Sequence, residues 1–238
     1  RTRYINDKNF LIVASLLVGI TAGLAAVVLK YLVHIIQHFC ESGFDVKFEN
    51  YLYLIFPLVG IVLSATYIRL FHHKKVFDKG LSSIIFAINK KGSNIERHKT
   101  FSHIITSAVT VGFGGSVGLE APIAVTGSAI GANAGRDLLV TKQERTLLLA
   151  AGAAAGIAAV FNSPIAGVIF AFEVLLTEVS IPVFIPLLMA SASGAVVSKF
   201  FHTENLFNLV TDGWRIQSIP YYAMLAIFCG LLSVYMMR

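Results

Sequence analysis

Apolar and polar positions fall in long blocks along this chain, and the blocks predict helices of unequal length. An apolar run from Phe10 to about Phe39 is followed by a mildly acidic connection, Glu41 to Asn50, and a second run from Tyr51 to Phe71. At ~1.5 Å of rise per residue both can cross ~30 Å of hydrocarbon, the first with considerable tilt. Leu81 to Asn89 is apolar but too short to span, and lies between Lys79 and the pair Lys90, Lys91. It predicts a short or re-entrant helix whose ends are buried in protein or face water. Thr100 to Phe113 then enters a glycine-rich turn, after which Pro122 opens a helix at its first turn, where a missing N–H costs nothing.

That helix carries Gly127, Gly131 and Gly135 at four-residue intervals. Arg136 to Arg145 reads as a polar connection and Leu147 to Phe161 as an Ala/Gly-rich helix in which Gly152 and Gly156 repeat the spacing. Asn162-Ser163-Pro164 predicts a helix stop and a capped restart, with Ser163 as N-cap and Pro164 at the first helical position. The restarted helix runs to about Ser180 and carries Glu173 and Glu178; another covers Pro182 to about Phe201. His202 to Gln217 is a polar loop and Pro220 to Met237 a last apolar run. The glycine pairs, with Gly19 and Gly23 in the first run, predict close helix packing. Lys30, His34 and His38 near the end of that run read as snorkelling or interfacial groups.

With 56% hydrophobic and 13% charged residues, the fold class is all-α: a polytopic membrane protein with tilted, broken and re-entrant helices. A net charge of +6 would suggest nucleic acid in a soluble protein. Here the basic residues sit at the ends of apolar runs, which is a topology signal, and no nucleic-acid partner is expected. Arg1, Arg3 and Lys8 before the first span, and the cluster from His72 to Lys79 after the second, predict a cytoplasmic N-terminus; the expected setting of this multi-pass protein is the cell membrane, which these charges do not themselves specify. The first run lacks a cleavage pattern and reads as a retained helix. Cys40 and Cys229 lie far apart without ligand spacing, so neither a disulfide framework nor a metal site is expected.

Between Phe101 and Gly135 the only Asp, Glu, Lys or Arg is Glu120. It sits where the glycine-rich turn gives way to the Pro122 helix, and an ionisable group in so apolar a segment is a functional candidate. Broken helices aim unpaired N–H groups and a positive dipole end into the membrane, which holds an anion without a full positive charge beside it. The alternative is a carboxylate that only caps its own helix.

Gly118-Leu119-Glu120-Ala121-Pro122 resembles the Gly-Arg/Lys-Glu-Gly-Pro motif of the CLC family of chloride channels and proton/chloride antiporters. Ala151 to Gly156 and Phe161-Asn162-Ser163-Pro164-Ile165-Ala166-Gly167, which opens the helix bearing Glu173, extend the likeness. The resemblance implies that Glu120 is the gate, that chloride is the transported ion with no further cofactor, that the protein is a homodimer in the lipid bilayer with Pro164 to Lys199 as candidate interface, and that it is not an enzyme. It also implies that residues 1–219 are the first of two inverted halves and 220–238 the opening helix of the second, so that the chain is part of a longer protein. Anion-contacting positions implied by the motifs are Lys79, Gly80, Leu81, Gly118, Leu119 and Ala121.

Two departures bear on mechanism. Where the family carries Gly-Ser-Gly-Ile-Pro, this chain has Asp78-Lys79-Gly80-Leu81-Ser82, so Lys79 replaces a coordinating serine. Lys79 either attracts the anion or is a solvated loop end. Antiporters of the family carry a proton-transfer glutamate immediately after the position matching Glu173, and this chain has Val174 there. Passive, glutamate-gated conductance is therefore expected ahead of strict exchange. Glu173 is either a substitute proton path or a cytoplasm-facing helix residue. One competing motif remains: Gly114-Gly115-Ser116-Val117-Gly118 matches the Gly-x-Ser-x-Gly of serine hydrolases, which needs a strand-to-helix elbow that membrane-helix flanks do not provide.

Overall fold

In the computed structural model of the chain, which describes residues 7–42, 55–71, 80–176, 181–201 and 216–236, every regular element among the described residues is helical. Chain order is α1 (Asp7–Ser42), α2 (Phe56–Phe71), α3 (Gly80–Lys90), α4 (Lys99–Gly112), α5 (Glu120–Asp137), α6 (Lys142–Phe161), α7 (Pro164–Phe170) with a π-helical continuation (Ala171–Leu175), α8 (Ile181–Phe201) and α9 (Ile219–Met236). The chain divides into two units, Arg1–Leu206 and Phe207–Arg238; α9, with a 3₁₀ turn before it, belongs to the second. Among the described residues, α1, α6 and α8 contain segments long and apolar enough to cross a membrane. The 11 residues of α3 are not long enough.

The first unit is built around α6. Every residue from Leu147 to Val160 is buried, and α6 packs against α1, α5, α7 and α8. A helix covered on all sides by neighbours needs side chains that let several backbones approach, and the Ala/Gly composition supplies them. The glycine stripes of α5 and α6 face each other: a Cβ on Gly127 would run into the Gly152 carbonyl oxygen, and one on Gly152 into that of Gly127. Gly19 and Gly23 of α1 meet Ala190 and Gly194 of α8 in the same way. The small-residue spacing thus marks packing seams, as the sequence predicts.

Four expectations need correction. The polar connection from Arg136 to Arg145 is shorter: α5 continues through Asp137 and α6 starts at Lys142. Thr141 and Glu144 form a capping box, with the Thr141 N–H donating to Glu144 Oε2 at 2.8 Å and the Glu144 N–H donating to Thr141 Oγ1 at 3.4 Å. Thr-x-x-Glu is a helix-start signature, which outweighs polarity as a guide. Ser163 does occupy the N-cap of α7, but its side chain makes no capping bond. The restarted helix changes to π geometry at Ala171, where the Leu176 N–H donates to the Ala171 carbonyl five residues back.

Lys30 does not snorkel. It is 5% exposed, and its Nζ donates to the Ala159 carbonyl at 2.9 Å and to Ser198 Oγ at 3.2 Å, while Ser198 Oγ donates to the same carbonyl at 2.6 Å. The ammonium thereby satisfies the C-terminal end of α6, where the helix dipole is negative, and ties α1, α6 and α8 together. The expected connections Glu41–Asn50 and His202–Gln217, the cluster His72–Lys79 and the position of Glu178 lie wholly or mostly outside the described residues.

Because a methyl at position 152 meets a backbone carbonyl rather than a movable side chain, Gly152→Ala is expected to destabilise the α5–α6 seam by about 1–3 kcal/mol despite alanine's better helix propensity. The check is a lowered unfolding temperature of the purified protein in detergent.

Candidate functional site

The turn between α4 and α5 begins with backbone bonds that close off α4. The N–H groups of Phe113, Gly114 and Gly115 donate to the carbonyls of Val109, Val111 and Thr110 at 3.1, 2.9 and 2.9 Å. Gly114 takes a φ of +86°, which a residue with a Cβ rarely adopts. The chain reaches Leu119, whose carbonyl accepts the Ile123 N–H at 3.1 Å and starts α5. Glu120 and Ala121 occupy the first turn, so their N–H groups have no acceptor within the helix, and Pro122 has no N–H to satisfy.

Beside this helix start lies a cleft of about 440 Å³. Gly118, Ala121 and Pro122 form one wall, and Gly80, the first residue of α3, contributes another. Residues separated by roughly 40 positions in sequence therefore come together at one cavity, each at the N-terminal end of a helix. Gly80 has a φ of +47°, and the space where its side chain would stand is open. The remaining wall comes from α2 and α4. There Ser64 Oγ donates to the Thr106 carbonyl at 3.1 Å and lies 2.9 Å from Thr110 Oγ1, which itself donates to the Thr106 carbonyl at 2.9 Å. The buried His103 and the half-buried Ser107 complete that side.

The motif positions separate into two groups. Gly80, Gly118 and Ala121 line the cleft. Leu81 and Leu119 do not; their side chains pack against the apolar core, so at those positions only backbone groups are available to a ligand. Lys79 lies outside the described residues. Glu120 is exposed at the start of α5, and its carboxylate folds back over Gly118: a Cβ on residue 118 would collide with Glu120 Oε2. Glycine at 118 thus makes room for the acid two residues later.

Glu173 is exposed on the π segment and is not a wall of the cleft, whereas Val174 is half-buried against the core. Ser116 is exposed in the turn between two helices, and among the described residues there is no strand from which a hydrolase elbow could be built. The hydroxyl wall went unread in the sequence. Its signal was the four-residue spacing of Ser102, Thr106 and Thr110 in an otherwise apolar helix, which puts hydroxyls on one face.

A family model described as voltage gated chloride channel matches residues 59–238. Chloride channel protein CLC-e of Arabidopsis thaliana is 26% identical over 98% of this chain and 35% of its own length. A putative chloride channel protein, ClcB-like, of Ralstonia nicotianae is 27% identical over 68% of this chain and 40% of its own. Among solved structures, a CLC-type fluoride/proton antiporter matches with a TM-score of 0.74 at 24% identity, and a slow cyanobacterial Cl⁻/H⁺ antiporter with 0.77 at 19%. These matches cover 95% and 96% of this chain but 55% of each of those chains, so the chain spans about half the length of the solved structures and a third or so of the curated relatives.

Proposed function

Because the chain belongs to the voltage-gated chloride channel family, we propose that it supplies the first inverted half, residues 1–219, and the opening helix of the second, residues 220–238, of a chloride pathway gated by Glu120. The observation that carries this reading is the place of Glu120: its side chain is not itself a wall of the cleft, but the carboxylate stands at the start of α5 and folds over Gly118, which is one. A carboxylate there occupies the place of an anion among free N–H donors. Protonation removes its charge, ends the competition and frees it to swing away. Gly80, Leu81, Gly118, Leu119 and Ala121 would meet the anion through backbone groups and Lys79 would flank its entry; dipoles fixed by the fold suit a small anion that must bind and leave.

Conduction is proposed as passive. Position 174 is a valine packed against the core, so it offers no proton relay, and Glu173 beside it is exposed on a different side. The two solved structures are those of antiporters, which supports exchange by another proton route as the second reading. A homodimer through α7 and α8 is supported by the exposed apolar side chains Ile165, Ile169, Phe184 and Ile185. The N-terminus is proposed to be cytoplasmic. Phe10 and Ala14 of α1 pack beside Val140 in the α5–α6 connection, and Lys90, Lys91, Arg97, Lys142 and Arg145 gather at the same end of the bundle.

In liposomes carrying the whole protein, chloride flux is expected to rise as pH falls, and Glu120→Gln is expected to be open and flat with pH. A variant that keeps the wild-type pH dependence removes Glu120 as the gate. Gly118→Ala is expected to change folding stability by no more than about 0.5 kcal/mol, because the group it displaces is the end of a flexible side chain. Its flux should shift toward that of Glu120→Gln, as read in the same assay. A chloride gradient is expected not to drive protons uphill; stoichiometric proton movement would establish exchange instead.

A further inference from the structure

On its α2 and α4 side the cleft is lined by the hydroxyl groups of Ser64, Thr106, Ser107 and Thr110. An anion binds to donors, and a hydroxyl whose proton is already held by a carbonyl turns only lone pairs toward it. Three of these hydroxyls are in that state. Thr106 Oγ1 donates to the Ser102 carbonyl at 3.1 Å. Ser64 Oγ and Thr110 Oγ1 lie 2.9 Å apart and reach the Thr106 carbonyl at 3.1 and 2.9 Å, so their two protons are shared among three contacts inside the wall.

Ser107 is different. It stands three residues before Thr110 and four after His103, in the middle of the face that α4 turns to the cleft. In a helix a serine or threonine hydroxyl ordinarily donates to the carbonyl three or four residues back, as Thr106 and Thr110 do. Ser107 makes no hydrogen bond to another described residue, and its half-buried side chain opens on the cleft. Among the described hydroxyls of this wall, its proton is the uncommitted one.

The opposite walls bring no side-chain donor. Gly80, Gly118 and Ala121 offer backbone groups alone, and Val117, Pro122 and Val125 are apolar. At about 440 Å³ the cleft holds a small anion together with several waters, at about 30 Å³ each, so an anion there keeps part of its hydration. A hydroxyl already fixed on a helix replaces one of those waters at little cost in ordering.

We propose that the Ser107 hydroxyl donates a hydrogen bond to the transported anion in the cleft and thereby weights transport toward the smaller halides. This rests on the transport reading above and deepens it, adding one side-chain donor to the backbone groups at the starts of α3 and α5. A compact, charge-dense ion approaches the hydroxyl more closely than a large, diffuse one, so chloride gains more from the contact than iodide. Once the anion leaves, the carbonyl of His103, four residues back, offers the hydroxyl its ordinary acceptor, which keeps the contact reversible.

The test is anion flux through the whole protein in liposomes, measured against chloride and against iodide concentration, for wild type, Ser107→Ala and Ser107→Thr. Alanine suits a helical position and strips no carbonyl of a donor here, so Ser107→Ala is expected to fold. In that variant half-saturating chloride is expected to rise about tenfold, as for the loss of a hydrogen bond to a charged group, and half-saturating iodide by no more than about threefold. Ser107→Thr restores the hydroxyl and should behave as wild type. Half-saturation that Ser107→Ala leaves in place, that rises equally for both halides, or that Ser107→Thr shifts as far as Ser107→Ala overturns the contact. A fall in maximal flux with half-saturation in place shows a part in folding alone and overturns it as well. A wild-type protein that moves no anion defeats the transport reading itself, an outcome distinct from normal wild-type flux with an unshifted Ser107→Ala.

Discussion

The bilayer interior offers backbone groups no water, and the rest of the structure depends on that constraint. An anion site made of N–H groups requires helices to begin inside the membrane, and each beginning leaves donors that only protein or ligand can satisfy. This chain begins a helix at Gly80 and breaks its helices between Phe113 and Leu119 and at Asn162-Ser163. Shelter for such breaks comes from neighbours packed at near-backbone distance, and that in turn requires the glycines and alanines of α1, α5, α6 and α8. The small-residue scaffold and the candidate site are therefore one design: without the seams, the breaks would be exposed to lipid.

Charge at the helix ends follows the same logic. Glu120 stands at the start of α5, where the helix dipole is positive, and the ammonium of Lys30 sits at the end of α6, where it is negative. Each charge is matched to a helix terminus instead of to an opposite side chain. The roles differ. Lys30 is buried and held by Ala159 and Ser198, which suits a fixed tie among three helices. Glu120 is exposed and leans over a residue with no side chain, which leaves it room to move.

Much of this was legible in the sequence because it is local or periodic. The apolar runs, the four-residue glycine spacing, the restart at Pro164 and the isolation of Glu120 can each be read from a window of 20 or so residues, and the observed helices agree. The remaining features depend on distant parts of the chain meeting. Nothing near Lys30 announces Ala159 or Ser198, 129 and 168 positions away, so an ammonium near a helix end reads as interfacial until its partners are in place. Likewise the convergence of Gly80 with Gly118 and Ala121 exists only in the packed bundle. The capping box at Thr141 is the exception: it was local and was overridden by the polarity of its surroundings.

The π segment gives the question of proton movement a geometric form. In a regular helix, successive side chains point about 100° apart, so Glu173 and Val174 need not face the same path. The structure assigns them opposite environments: Val174 packs with the core around Leu175 and Ala171, and Glu173 is exposed. The extra residue of π geometry alters the helical phase beyond Ala171, and such insertions are common where function depends on side-chain direction. On this segment the carboxylate at 173 and its apolar neighbour at 174 therefore face different surroundings, one exposed and the other set against the core, and it is the π turn that fixes which side each takes.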